Sequence, residues 1–228
     1  MEKYKEKYFL AANSTSGFVS YFGECYDNLD DWRVYIIKGG PGTGKSSFMR
    51  RVALIAESKG IDSIYCPCSS DPDSLDAVIF EDIKVVILDG TAPHIVEPSL
   101  WGACENIINL GEFWDKSLLY ENRKAITKAS LENKLLHKTA SSYLRAAGSF
   151  LKDNIGLIEP YVNVSLLESF SKRLAKRIIA VKPDGVGREW VRFIEGLTPK
   201  GLVDFSFVAD KYKEYRFHGR ETIHPQNQ

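Results

Sequence analysis

The sequence predicts an α/β fold in which a parallel β-sheet is covered on both faces and carries a helical insertion. Three observations lead to this prediction. Short, continuously apolar segments alternate with an amphipathic helical pattern in the first half of the chain. A glycine-rich loop separates the first of these segments from the helical pattern. From Glu112 to Ala147 the chain contains neither Gly nor Pro, and its apolar residues recur at helical spacing.

The first half supplies the predicted sheet. Near-continuous apolar strands are typical of a parallel sheet that is buried on both faces. The helix before Gly60 places Phe48 and Val52 on one face, which we expect to pack on that sheet. An earlier helix is predicted over Gly17–Leu29, capped by the polar residues before it. The strands are predicted at Arg33–Ile37, Ile61–Cys66 and Ile83–Leu88, and the helix between the first two at Ser46–Lys59.

The second half is predicted to be mainly helical. A long helical hairpin or bundle is expected after Glu112, bounded near Gly148 and Gly156. A further amphipathic helix is predicted over Tyr161–Lys182, and a strand over Trp190–Ile194. The insertion therefore spans residues 112–182, between a core at 1–111 and a C-terminal segment at 183–228.

Composition limits the classes of function. The chain has 228 residues, and its 44% hydrophobic content is sufficient for a packed core. Its 30 basic and 30 acidic side chains cancel, so no overall positive field attracts nucleic acid, and such a partner is not expected. No apolar run approaches the roughly 20 residues of a membrane span. We expect a cytoplasmic protein without a membrane partner. Its four cysteines form no C-x-x-C pair, so in a reducing cytosol they are expected to be free thiols.

A short internal repeat is visible. Phe9–Tyr21 and Phe193–Phe205 share an aromatic-aliphatic pair, a small residue, Ser or Thr, Gly, and then apolar-Val-polar-aromatic. We interpret the second copy as the start of a second module, which is expected to be truncated because no second Gly-Lys-Ser follows. The repeat keeps one Thr and one Gly in each copy, and we interpret each pair as a helix cap with a tight turn in preference to a nucleotide-side loop. The pairs are Thr15 with Gly17 and Thr198 with Gly201.

The glycine-rich loop fits the pattern G-x-x-x-x-G-K-[ST] of a phosphate-binding loop. Its glycines allow backbone N–H groups to face phosphate oxygens. Lys45 is expected to reach the β- and γ-phosphates, and the hydroxyl of Ser46 to bind Mg²⁺. The loop therefore predicts Mg-ATP as the bound cofactor and a three-layer P-loop NTPase fold; ATP is preferred over GTP because no Asn-Lys-x-Asp guanine motif is present. The predicted nucleotide-binding residues are Gly39, Gly40, Pro41, Gly42, Thr43, Gly44, Lys45, Ser46 and Ser47.

The strand ending in Asp89 has the form of a Walker B motif. An Asp at the carboxyl end of a parallel strand faces the nucleotide crevice, so Asp89 is the second predicted Mg²⁺ ligand. Many hydrolysing P-loop ATPases place Glu next, where this chain has Gly90. Three consequences are possible. The general base that activates water comes from another residue, hydrolysis is slow, or the group that accepts the phosphoryl group is not water. The candidate bases are Asp71, Asp73, Asp76, His94 and Glu97.

Three of these candidates, Asp71, His94 and Glu97, join Lys45 as the predicted catalytic residues. Asp71 and His94 each lie in a polar segment directly after a predicted strand, which is the ligand-bearing edge of an open parallel sheet. The competing interpretation is that the acidic residues are turn or cap residues and that His94 is a polar loop residue.

Three segments together resemble an uncharacterised bacterial family of tandem P-loop ATPases, found in Gram-positive, often spore-forming lineages. The most specific segment is Asp-Gly-Thr-Ala-Pro-His at residues 89–94, and the likeness extends to about residue 205. The resemblance implies a nucleotide-binding core followed by the start of a second module, but no established reaction. The segments are Tyr35–Ser47, Cys68–Asp76 and Leu88–His94.

Three functions remain open at this point. The leading one is ATP binding with slow, Mg²⁺-dependent hydrolysis that drives a conformational change. A small-molecule or nucleotide kinase is the first alternative, because the loop is similar to those of nucleoside-monophosphate kinases and Glu is missing after Asp89. The second is a non-enzymatic, nucleotide-gated interaction module. A protein partner or a homo-oligomer is predicted to supply a second module.

Overall fold

The computed structural model describes residues 6–28, 30–92, 95–178 and 191–206. Within these ranges the chain forms a mixed α/β fold, which confirms the predicted class at that level. The strands β1 to β9 are Ala11–Ser14, Gly17–Ser20, Arg33–Lys38, Ile64–Pro67, Leu75–Phe80, Val85–Asp89, Glu105–Asn109, Glu195–Thr198 and Gly201–Asp204. The helices α1 to α4 are Lys45–Glu57, Lys116–Glu121, Arg123–Ile158 and Val164–Ile178.

The central sheet has five strands in the order β4-β5-β6-β3-β7. Strands β6 and β7 lie parallel to β3, on either side of it, while β5 is antiparallel to both of its neighbours. The prediction of a purely parallel sheet is therefore wrong at β5. The physical reason is the short connection of residues 68–74, which is too short for a parallel crossover and makes β4 and β5 a hairpin.

Both faces of the sheet are covered, but by different kinds of structure. Helix α1 packs on one face, where Met49 and Ala53 are buried. The opposite face is covered by the N-terminal segment, whose Tyr8, Leu10 and Phe22 are also buried. Burial of each large apolar side chain contributes about 1.5–3 kcal/mol to the free energy of unfolding. The predicted covering is confirmed, although the N-terminal strand and turn segment takes the place of a helix on the second face.

The helix predicted over Gly17–Leu29 is wrong. Strands β1 and β2 form an antiparallel hairpin here, followed by a 3-10 turn at Phe22–Cys25. The hydroxyl of Ser14 donates to the carbonyl oxygen of Gly17 (2.7 Å) and accepts from the N–H of Ser16 (3.1 Å). The polar residues thus cap a tight turn rather than a helix, which is the competition expected of Ser side chains.

The second copy of the repeat forms the same hairpin. Ser14 pairs with Gly17 in the first copy, and Thr198 pairs with Gly201 in the second, so the register is identical. The Thr198 hydroxyl donates to the Gly201 carbonyl (2.9 Å) and accepts from the N–H of Lys200 (3.1 Å). The helix-cap interpretation of Thr198 and Gly201 is therefore wrong as well, while the tight turn is confirmed.

The two hairpins also pair with each other. The N–H of Phe9 donates to the carbonyl of Phe193 (2.7 Å), and the reverse hydrogen bond measures 3.2 Å. The Phe9 ring lies 4.9 Å from that of Phe205, and the Tyr21 ring lies 5.0 Å from that of Phe193. Since Tyr21 and Phe205 are equivalent in the repeat, the two hairpins are related by an approximate two-fold axis.

Strand β8 does not join the central sheet. Trp190 lies outside the described residues, and Phe193 contributes an isolated bridge to Phe9 before β8 begins at Glu195. The expected final core strand at Trp190–Ile194 is therefore wrong over its described part.

Helices α2, α3 and α4 form what we call the helical arm. The predicted hairpin or bundle bounded near Gly148 and Gly156 is wrong, because α3 continues through both glycines for 36 residues. A Cβ at position 148 would collide with the side chain of Thr15, so this glycine allows α3 to approach the β1–β2 turn. The apolar side chains of α3 are exposed, for example Leu136 at 68% and Phe150 at 73%.

Two further observations concern the described residues. None of the described helices combines the length and apolar character that crossing a membrane requires. The four cysteines are free thiols, as predicted, and Cys25, Cys66 and Cys104 are buried.

Candidate functional site

The glycine loop, Gly39–Ser46, connects the carboxyl end of β3 to the first turn of α1. Gly44 immediately precedes the helix and has φ 85°, a left-handed conformation that glycine adopts without a steric penalty. The Thr43 hydroxyl donates to the Gly40 carbonyl (2.8 Å) and closes the loop on itself. Pro41, Gly42 and Gly44 are exposed, so the loop presents its backbone to solvent at the start of a 13-residue helix. Such a helix start favours anions.

Lys45 lies across the mouth of this loop. Its ammonium group donates to the carbonyl oxygens of Gly39 (2.8 Å) and Gly40 (3.1 Å) and lies 3.5 Å from a carboxylate oxygen of Asp89. The side chain is only 11% exposed, and that of Asp89 is 16% exposed. The structure therefore brings Lys45 and Asp89, which are 44 residues apart in the sequence, to one point at the sheet edge.

Asp89 is positioned by the pairing of its strand. It lies opposite Ile37 in the parallel β3–β6 ladder, directly before the glycine loop. Its Oδ1 accepts from the N–H (2.9 Å) and the hydroxyl (2.5 Å) of Thr91, which fixes the carboxylate orientation. A Cβ at Gly90 would overlap Ile36 and lie 3.0 Å from the Val96 carbonyl oxygen. No larger side chain fits there, which explains physically why no acidic residue follows Asp89.

Ser46 faces the connection between β4 and β5. Its hydroxyl oxygen accepts a hydrogen bond from the N–H of Leu75 (3.1 Å). In the same connection, the Asp71 carboxylate accepts from the N–H of Asp73 (3.3 Å) and from the hydroxyl of Ser74 (2.6 Å). Asp71 thus shapes the turn that precedes Leu75, as the turn interpretation expected.

Asp76 was only a secondary candidate in the sequence, and the structure places it close to Asp89. Ala77 pairs with Leu88 in the antiparallel β5–β6 ladder, so Asp76 and Asp89 come next on the two neighbouring strands. Asp76 is 3% exposed. Burial raises the pKa of Asp76 to about 7; the hydrogen bond from Cys68 opposes this rise and the nearby Asp89 charge adds to it. The sequence analysis did not rank Asp76 among the predicted catalytic residues, because β5 itself was not predicted.

Among the described residues, Glu97 is not brought together with Lys45. His94 lies outside the described residues. The Glu97 carboxylate is 59% exposed and accepts from the ammonium group of Lys38 (2.5 Å). Lys38 also donates to the carbonyl oxygens of Gly90 (2.9 Å) and Val96 (2.7 Å). Glu97 therefore belongs to an ion pair that holds the segment after Asp89 against β3.

Trp114 is a second neighbour of the loop that sequence reasoning missed. A Cβ added to Gly40 would lie 3.2 Å from its ring, so the indole packs directly against the loop backbone. It remains 42% exposed. No sequence pattern indicated this contact, because β7, which precedes Trp114, was not recognised as a strand.

The residues at the loop fit the predicted ligands in their chemistry. Ser46 and Asp89 offer a hydroxyl and a carboxylate oxygen, which are hard ligands of the kind that Mg²⁺ prefers. Among the described residues no cluster of three or more His, Cys, Asp or Glu side chains could hold a metal by itself. A Mg²⁺ ion held by one or two protein oxygens together with phosphate oxygens needs no such cluster.

Comparisons with protein-family models, with curated proteins and with solved structures find no match for this chain.

Proposed function

We propose that this chain binds Mg-ATP at the glycine loop and hydrolyses it slowly, coupling the state of the nucleotide to the conformation of the protein. The observation that carries the proposal is the convergence of Lys45 and Asp89 at 3.5 Å beside the loop. A largely enclosed ammonium group at the start of a helix and a carboxylate beside it are the groups that a magnesium-bound triphosphate requires.

In the proposed binding step, Lys45 exchanges its partners. Its ammonium group now donates to the carbonyl oxygens of Gly39 and Gly40. Phosphate oxygens would take the place of these neutral acceptors, and charged acceptors form roughly twice as strong a hydrogen bond. Mg²⁺, held by Ser46 and Asp89, would neutralise phosphate charge. The hydrogen bond from the Leu75 N–H to the Ser46 hydroxyl links this site to the β4–β5 connection. A change at the nucleotide would reach that connection through this bond.

Asp76 is the proposed proton acceptor of the reaction. It is the buried carboxyl group next to Asp89 along the sheet edge, whereas Asp71 is engaged in a turn and Glu97 in an ion pair. A carboxyl group whose pKa is about 7 is matched to accepting a proton near neutral pH. We expect Asp76→Asn to lower ATP turnover at least tenfold while ATP binding is retained. If Asp71→Asn or Glu97→Gln lowers turnover instead, Asp76 is not the acceptor.

The first experiment measures Mg²⁺-dependent ATP turnover and ATP affinity for the wild type and for Lys45→Ala. We expect the variant to lose both activities, because it removes the charge that faces the triphosphate. The matched control is Lys59→Ala, which removes the same charge from an exposed position just beyond α1. If Lys45→Ala binds ATP as tightly as the wild type does, the proposal is wrong.

Phosphoryl transfer to a small molecule is the second candidate, and one observation favours it. Gly90 leaves no space for an acidic residue after Asp89, so the usual position of a water-activating Glu is closed. A kinase would show transfer from ATP to an added acceptor well above the background of hydrolysis. Binding of ATP without turnover would favour this function over the ATPase.

A further inference from the structure

A cavity of about 280 Å³ lies beside α1, on the side of β4 and the β4–β5 connection. Its volume is near the lower end of the range for small-molecule sites, about 300–1,000 Å³. It is separate from the mouth of the glycine loop, since none of the loop residues lines it. The lining residues are Lys7, Arg50, Leu54, Tyr65, Pro67, Pro72 and Leu75.

The charged groups at the cavity are both basic. Lys7 is fixed by the backbone, because it forms a parallel bridge with Tyr65 in the edge strand of the sheet. Arg50 is fixed by its guanidinium group, whose Nη2 donates to the carbonyl oxygen of Asp73 (2.5 Å). No acidic side chain is among the described residues that line the cavity. Two basic residues that line one half-enclosed space favour an anion, and a guanidinium group suits phosphate or carboxylate oxygens.

The remaining wall is apolar. Leu75 and Pro67 are buried, and the ring of Tyr65 is 7% exposed, with its hydroxyl turned to Glu57 (2.7 Å). Leu54 and Pro72 complete the rim. A ligand that fills this space therefore needs a compact apolar or flat group attached to its anionic end.

The cavity is also joined to the glycine loop through one residue. Leu75 lines the cavity, and its N–H donates to the hydroxyl oxygen of Ser46. A molecule bound against Leu75 is therefore separated only by Leu75 from Ser46, which is a predicted Mg²⁺-binding residue. Binding in the cavity and binding at the loop are expected to influence each other.

We propose that this cavity is a second ligand site, which binds a small phosphate monoester carrying a compact apolar group. Lys7 and Arg50 hold the phosphate oxygens, and Leu75, Pro67 and the Tyr65 ring contact the apolar group. This binding goes beyond the proposed nucleotide function and does not depend on it, since the cavity has its own cations.

The test uses phenyl phosphate as the probe and calorimetric titration of the full chain without nucleotide. We expect Arg50→Gln and Lys7→Gln each to weaken binding about tenfold, because each removes one of two cations facing the phosphate. The matched control is Arg51→Gln, which removes the same group from the neighbouring, exposed position on α1. Arg51→Gln is expected to change the affinity less than twofold. Inorganic phosphate, which lacks the apolar group, is expected to bind more weakly than phenyl phosphate does.

Three outcomes would overturn the proposal. The wild type does not bind phenyl phosphate, or Arg51→Gln weakens binding as much as Arg50→Gln does, or binding is lost in Lys45→Ala and kept in Arg50→Gln and Lys7→Gln. The last outcome would place the probe at the glycine loop. Since the titration contains no ATP, its result is separate from the outcome of the turnover experiment.

Discussion

The two hairpins of the repeat have one backbone plan but occupy different environments. Both pair Ser or Thr with Gly across the turn, and both close the far end with the same hydrogen bond: Tyr21 N–H to the Leu10 carbonyl, and Phe205 N–H to the Ile194 carbonyl, each 2.7 Å. Strand β1 begins with two buried alanines, whereas β8 begins with the exposed Glu195. The repeated frame therefore encodes the hairpin, while the surrounding chain decides how much of it is buried.

The largest expected effect distinguishes the two aromatic residues that start the copies. Phe9 is fully buried, and Phe193 is only half-buried. We expect Phe9→Ala to lower the free energy of unfolding by about 3–5 kcal/mol and Phe193→Ala by roughly half as much, because a fully buried ring loses more contacts. Urea unfolding of the two variants measures both values. Equal losses of stability in the two variants would contradict the expectation that Phe9 makes more packing contacts than Phe193 does.

A smaller effect is expected where the approximate two-fold symmetry breaks. Ala12 in the first copy corresponds to Gly196 in the second. A Cβ at position 196 would lie 2.9 Å from the Phe9 ring, which is fully buried and has no space to move into. We expect Gly196→Ala to lower the free energy of unfolding by about 1–3 kcal/mol, the usual cost of overpacking.

The control for this variant is Gly23→Ala, at a position where a Cβ would meet no atom within 4 Å. Its thermal midpoint should stay close to that of the wild type. A wild-type midpoint for Gly196→Ala would show that the Phe9 ring adapts and that the symmetry is not broken by packing.

The smallest effect is expected at the two turn hydroxyls, where the copies match. Ser14→Ala and Thr198→Val each remove a hydroxyl that donates to a glycine carbonyl and accepts from a backbone N–H within the turn. We expect each to cost about 0.5–1.5 kcal/mol of the free energy of unfolding, with similar values because the geometry is shared. Chemical denaturation of the pair provides the measurement. A difference well outside this range would mean that the two turns are not energetically equivalent.

The sequence predicted those parts of the fold whose signal is local. The apolar strand β3, the amphipathic α1 and the strand ending in Asp89 are each contiguous patterns, and the structure has all three. Strand β5 was missed because Asp76 follows its first residue and a turn-rich segment precedes it. Strand β7 was missed because it is an edge strand that begins and ends with polar residues, and exposed edges carry a weak apolar pattern. Helix α3 was predicted as helical, but its length was not, because Gly148 is there for a close contact rather than as a terminus.

The candidate site also has a part that contiguous sequence patterns predict and a part that they do not. Its contiguous part, the glycine loop with Lys45, was recognised as a motif, and Asp89 followed from its place at the end of a strand. The approach of Asp76 to Asp89 depends on the β5–β6 register, and the approach of Leu75 to Ser46 depends on the path of the β4–β5 connection. Neither contact leaves a pattern in the sequence, since each arises from pairing between separate elements.

The length of α3 has a mechanical consequence. With 36 residues and a rise of about 1.5 Å per residue, the helix spans roughly 54 Å. It contacts the β1–β2 turn at Gly148, and Arg123 lies about 37 Å from that contact along the helix axis. A tilt of about 10° about this contact would displace the Arg123 end of α3 by roughly 6 Å, so a small adjustment of the first hairpin would be enlarged at that end.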